Sequence, residues 1–183
     1  MKKTNFIVEL GQKLNKESIN KISSLKNEKE LDVITLIDLT FHENKQIAFR
    51  AAWILENIYI KHLEIFLPNA TYFLNLFSTQ NNFSCRRHYA KILALITINK
   101  APLPIKKLIE DYNTEPLVET VFSWLIDEKN PVAVKSHCLN ILANLNSKHN
   151  WIKDELIQTM DYLVDKESIA FHAKVKMIRK QLR

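Results

Sequence analysis

IAFRAAWILENI (Ile47–Ile58), CRRHYAKILALI (Cys85–Ile96) and VKSHCLNILANL (Val134–Leu145) are three writings of one helical segment. Superposed, they place Ile54, Leu55 and Ile58 on Ile92, Leu93 and Ile96, and on Ile141, Leu142 and Leu145. A degraded fourth copy keeps the apolar steps Phe171, Val175, Ile178 and Leu182, at the four–three–four spacing of a single helical face. Each copy follows another amphipathic segment, and roughly forty residues separate successive copies, which is the period of a solenoid of helix pairs. The chain is therefore expected to be all-α. It reads as one domain over residues 1–183, a right-handed α-solenoid of about four helix pairs with a short N-terminal helical cap from about Asn5 to Lys26.

Working outward, the first pair takes Leu31, Ile34, Ile37 and Phe41 on its first helix and Ile47, Ala51, Ile54 and Ile58 on its second. The second pair runs from Leu67 to about Ile98 and opens with Pro68 and the cluster Tyr72, Phe73, Leu74, Leu76 and Phe77. The copy offset then lengthens from 38 residues (47 to 85) to 49 (85 to 134). Pro102 and Pro104 sit in the added stretch, where an extra short helix is expected. The third pair uses Leu117, Val121, Trp124 and Leu125, then Val134, Cys138, Ile141 and Leu145. The fourth uses Ile152, Leu156, Met160 and Leu163, then the closing helix. Polar segments at His42–Lys45, Thr79–Asn82, Glu128–Pro131 and Lys166–Ser168 mark the bends within pairs, with Pro131 at the first position of a helix.

Gly11 is the only glycine. Dinucleotide fingerprints and phosphate-cradling loops need glycines where backbone approaches a ligand closely, so neither can be built here. The start Met1-Lys2-Lys3 leads into a segment broken by Glu9, Gln12 and Lys13, unlike a signal peptide. No stretch approaches the ~18 uninterrupted apolar residues of a membrane span. A cytoplasmic protein without a membrane partner is expected. Cys85 and Cys138 stand at apolar positions of separate repeats and read as buried thiols.

The segments FRAAWIL from Phe49 and NPVAVKSHCLNILANL from Asn130 resemble the second helix of a HEAT repeat, a β-branched residue and a basic residue followed by small residues and leucine. Arg50 and Lys135 stand near the basic position of that pattern, and its aspartate has no counterpart. The resemblance covers nearly the whole chain beyond about residue 28 and extends to small bacterial HEAT-repeat proteins of unassigned function. It implies a HEAT-like solenoid acting as a non-catalytic binding or scaffold module.

In such a stack the second helices line the concave face about 8–10 Å apart, so their non-core positions become neighbours. The stripe reads Gln46, Arg50, Trp53 and Asn57, then Ser84, His88, Lys91 and Leu95, then Ala133, His137, Asn140 and Asn144, then Lys174 and Met177. It is mildly basic, rich in amides and free of carboxylates. Arg50, Trp53, Asn57, His88, Lys91, His137, Asn140 and Asn144 are the expected contacts to a protein partner, with Arg and Trp the usual anchors of an interface. A solvated polar face is the plainer account of the same stripe. Cys85 with His88 and Cys138 with His137 have the residue types of a zinc site, but the cysteines fall on the coreward register, so no metal and no cofactor are expected.

The alternative function is nucleic-acid binding, including lesion recognition like that of the alkylpurine DNA glycosylases, which are HEAT-like and set aromatics and an aspartate on a basic face. Arg50 and Trp53 echo that arrangement; the nearby acid, Glu56, falls off the groove in this register. No catalytic residue can be assigned, and the cluster Glu110, Asp111, Glu115 and Glu119 reads as a solvated face. The net charge of +6 arises from 26 cations against 20 acids, and only five of the cations are arginines. Specific phosphate recognition favours arginine forks. Weak, sequence-independent nucleic-acid binding, led by the cations Lys174, Lys176, Arg179, Lys180 and Arg183, is the most this charge predicts.

Overall fold

The computed structural model describes residues 32–183, and among these every regular element is helical. The expected N-terminal cap and Leu31 lie outside the described residues. The helices are α1 (Val33–Leu39), α2 (Lys45–Lys61), α3 (Leu63–Phe66) continued by a 3-10 turn (Leu67–Asn69), α4 (Ala70–Phe77), α5 (Phe83–Ile96), α6 (Leu103–Asp111), α7 (Glu115–Ile126), α8 (Val132–Leu145), α9 (Ile152–Val164) and α10 (Ile169–Gln181). Backbone contacts divide the chain into two compact units that meet in sequence between Tyr89 and Ala90, within α5.

Three of the described helices, α1, α2 and α5, start on a side-chain cap. The Asp32 carboxylate accepts from the Ile34 and Thr35 amides, Asn44 Oδ1 from Gln46 and Ile47, and Asn82 Oδ1 from Ser84, each satisfying first-turn donors that a helix leaves free. C-terminal caps such as Thr40, Ser78 and Asp165 stay in the right-handed region, and no described residue has positive φ. A chain whose turns never leave negative φ has no use for glycine there.

In the first unit α1 packs on α2. Ile37 is buried as expected, but Ile34 and Phe41 are exposed at 42% and 37%, and Val33, Leu36 and Leu39 fill the interface instead. Packing on α2 sets the buried face, and the Asp32 cap fixes where the helix begins. Tyr59, Phe66, Phe73, Phe77 and Tyr89 form a chain of ring contacts through the core, with centroids 5.1, 5.6 and 6.3 Å apart from Tyr59 to Phe77 and 4.7 Å between Phe73 and Tyr89. Tyr72, expected in this cluster, is instead at the surface and donates from its hydroxyl to Asp38 at 2.7 Å. One polar hub stands in the core. Thr40 Oγ1 donates to Ile37 O and shares a 2.7 Å bond with the Tyr89 hydroxyl, while Gln80 Nε2 and Cys85 Sγ donate to Thr40. Thr40, Gln80 and Tyr89 are all buried, so this mutual satisfaction is what lets them sit there.

In the second unit α8 packs on α7, α9 and α10, and α9 packs on α10. All the core positions read from the third and fourth pairs, from Leu117 to Leu182, are buried. The expected extra helix is α6, which fills the lengthened offset. Pro131 is the N-cap of α8 rather than its first residue, a one-residue shift with the extended φ and ψ of −60° and 150° that precede a helix start. Lys135, in the first turn of α8, is only 2% exposed and forms an ion pair with Glu167 from the α9–α10 loop.

Cys85 and Cys138 are buried and not joined in a disulfide. Burial raises the Cys85 thiol to about 12, because the thiolate would be formed away from water. Native protein should therefore resist a water-soluble aromatic disulfide reagent at pH 8 and react at both cysteines in denaturant. Rapid native labelling of either would contradict the burial.

Candidate functional site

The eight expected contact residues divide between the units, Arg50, Trp53, Asn57 and His88 in the first and Lys91, His137, Asn140 and Asn144 in the second. In the first unit the expected surface stripe is largely enclosed. Arg50 and His88 are 9% and 6% exposed, contrary to the reading of both as open groove residues. They stand at the same register of α2 and α5, a position flanked by the neighbouring helix rather than by solvent. Glu56, read as lying off this face, is on it: Oε2 meets His88 Nδ1 at 2.6 Å. The Phe49 ring lies 5.2 Å from the His88 ring and 6.1 Å from the Trp53 indole. The buried His88 Nε2 has no hydrogen-bond partner. Asn57 donates to the Trp53 carbonyl at 2.9 Å, within its own helix. A histidine packed under an aromatic ring and tied to a carboxylate braces two helices. The lesion-enzyme arrangement of an open arginine, an aromatic and a free acid is not assembled here.

The second unit keeps a more open stripe. Asn144 on α8 is its stitch: Nδ2 donates to Ala94 O at 3.4 Å and to Thr97 Oγ1 at 3.3 Å near the end of α5, and Oδ1 accepts from Gln181 Nε2 of α10 at 3.1 Å. These bonds place α8 between α5 and α10. Two turns back from Asn144 and Gln181 are His137 and Lys174, at the seven-residue interval that returns to nearly the same face of a helix. Lys91, Asn140, His137 and Lys174 are half-buried and Met177 is 62% exposed. Burial, and behind it the charge of Lys91, pulls the Lys174 ammonium below the ordinary lysine range.

Charge is sorted by helix. The part of α5 in this unit, α8 and α10 contain no Asp or Glu, whereas α7 and α9 hold Glu115, Glu119, Asp154, Glu155 and Asp161. Two second-helix cations are neutralised from outside that layer, Lys135 by Glu167 and Arg179 by Asp161. Among the described residues Lys91 and Lys174 have no carboxylate partner. Beside the stripe a groove of about 310 Å³ is lined by Thr97, Lys106, Ile109, Asn144 and Lys148 among others. Lys148 is committed there: its Nζ donates to the Ile109, Glu110 and Tyr112 carbonyls and closes the end of α6. No three His, Cys, Asp or Glu residues are gathered as for a metal ion among the described residues. Cys85 instead bonds Thr40 O, and His88 bonds Glu56.

The HEAT repeat domain model matches residues 6–182. The chain belongs to the HEAT repeat family. HEAT repeats generally mediate protein interactions and are typically non-catalytic scaffolds. The fold is also similar to the crystal structure of an engineered protein from the Northeast Structural Genomics Consortium, with a TM-score of 0.63 and 17% identity, over 97% of this chain and 79% of that one. At that identity the likeness concerns the fold alone. No curated protein matches the chain. Within this HEAT protein no described helix is long and apolar enough to cross a membrane.

Sequence reasoning placed Glu56 off the face, because its partner lies 32 residues away, and did not single out Gln181. Gln181 had a usable signal: laying Ile178 on Ile141 puts Gln181 on Asn144.

Proposed function

We propose that this HEAT protein is a non-catalytic binding module that presents its basic second-helix layer to a protein partner. The observation that carries the reading is the charge sorting, acid-free α8 and α10 beside acid-bearing α7 and α9, with Lys91 and Lys174 left unneutralised. Lys91, Asn140 and His137 remain the contacts of this reading. Asn144 shapes the face rather than meeting the partner, because its amide is already committed. Two thiols without a disulfide suit a reducing compartment, so the partner is sought in the cytoplasm.

Affinity purification from the native host with mass spectrometry tests this. A single protein should co-purify, rebind as a pure component, and lose affinity when Lys91→Glu and Lys174→Glu are combined. Co-purification of nucleic acid alone, seen as a raised 260/280 nm absorbance ratio, would overturn the reading in favour of the nucleic-acid alternative.

A further inference from the structure

The second-helix layer of the second unit has a property that a merely solvated face does not need. A solvated helix can carry both charge signs, as α9 does with Lys153, Asp154, Glu155 and Asp161. On α8 and α10 one sign is missing, and two lysines flank α8 without a carboxylate partner: Lys91 lies one turn before the Ala94 carbonyl that receives Asn144, and Lys174 two turns before the Gln181 amide that reaches it, with the charge of Lys91 felt at Lys174 behind the effect of burial. Holding like charges together raises the free energy of the unliganded state, and a counter-charge entering there removes that penalty. One turn before Asn144 on α8 is Asn140, half-buried and with no side-chain hydrogen bond among the described residues, so both the donor and the acceptor of its amide are open. One turn before Gln181 on α10 is Met177, exposed at 62% and adaptable in packing.

From this arrangement we infer that the face formed by Lys91, Asn140, Lys174 and Met177 docks an acidic segment of a partner polypeptide, whose carboxylates sit between the two ammonium groups. This deepens the protein-binding reading above and rests on it. A side-chain amide offers a donor and an acceptor together, the complement of a peptide group, and Met177 accepts an apolar side chain of the same segment. A nucleic-acid strand is the poorer match. The stripe has no arginine to fork onto a phosphate, Arg179 of α10 is held by Asp161, and no aromatic ring lies among these residues for a base to stack on. Complementary charge in such a face governs partner choice and association rate and weakens with salt.

The test uses the full chain and a fluorescein-labelled peptide of four Glu-Glu-Leu repeats, followed by anisotropy at physiological salt. Wild-type protein should bind it. Lys91→Glu combined with Lys174→Glu should weaken binding by about tenfold or more, while Lys176→Glu with Lys180→Glu, the same charge change at exposed positions of α10, should leave it within about twofold. The milder pair Lys91→Gln and Lys174→Gln guards against misfolding and should also weaken binding, with the melting temperature unchanged or raised. Equal losses from both Glu pairs would reduce the effect to net charge and overturn the inference. Tighter binding of a 12-base-pair DNA duplex than of the peptide would overturn it in favour of nucleic acid. A native partner that rebinds equally to wild type and to the Lys91→Glu, Lys174→Glu protein would sink this site while leaving a binding module, whereas absence of any protein partner would sink the underlying reading.

Discussion

Glu167→Ala is expected to lower the stability of the fold by about 3–5 kcal/mol, the loss that follows when one member of a buried ion pair is removed. Its partner Lys135 is 2% exposed, so the ammonium would be left away from water with no counter-charge. Replacing the pair together, Lys135→Met with Glu167→Leu, should restore stability close to wild type, because matched apolar groups avoid the desolvation penalty altogether. Urea denaturation at constant m distinguishes the two outcomes. A loss from Glu167→Ala below about 1 kcal/mol, the range of an exposed pair, would mean that Lys135 reaches solvent or another partner. Lys135 is one of the two residues that suggested the basic position of the repeat. Its role in the fold is to tie the start of α8 to the α9–α10 loop.

Ile54→Ala and Ile141→Ala should each cost about 2–5 kcal/mol, since both side chains are fully buried at matching positions of α2 and α8 and the truncation leaves a cavity. Ile34→Ala is the control. Exposed at 42% on α1, it should change stability by no more than about 0.5 kcal/mol. Denaturant midpoints measure all three. Similar losses at Ile34 and Ile54 would show that the face of α1 has been assigned wrongly, and near-wild-type stability at Ile54 and Ile141 would undo the repeat register itself.

Much of the fold was legible because amphipathic periodicity is a local property. Ile54, Leu55 and Ile58 and their counterparts repeat at helical spacing, and every one of them is buried. The bends were legible for the same reason, as Asn44 and Asn82 cap helices through neighbours two or three residues away. The phase of α1 was not, because a seven-residue helix holds too few apolar positions to define a face, and packing on α2 decided it.

The candidate face was legible only in part. Periodicity separates core from non-core positions, yet it does not say whether a non-core position meets water or the adjacent helix. Arg50 and His88 share a register with His137, but the first two are buried and His137 is only half so. The sequence by itself determined the helix pairs, the registers of the second helices, the extra helix α6 and the basic character of α8 and α10, all of which depend on residues close along the chain. Tertiary structure alone decided which polar side chains are consumed and which remain available. Glu56 with His88, Lys135 with Glu167 and Asn144 with Thr97 and Gln181 each join residues 32 to 47 positions apart, and such pairings depend on which helices are brought into contact, something no local pattern of residues encodes.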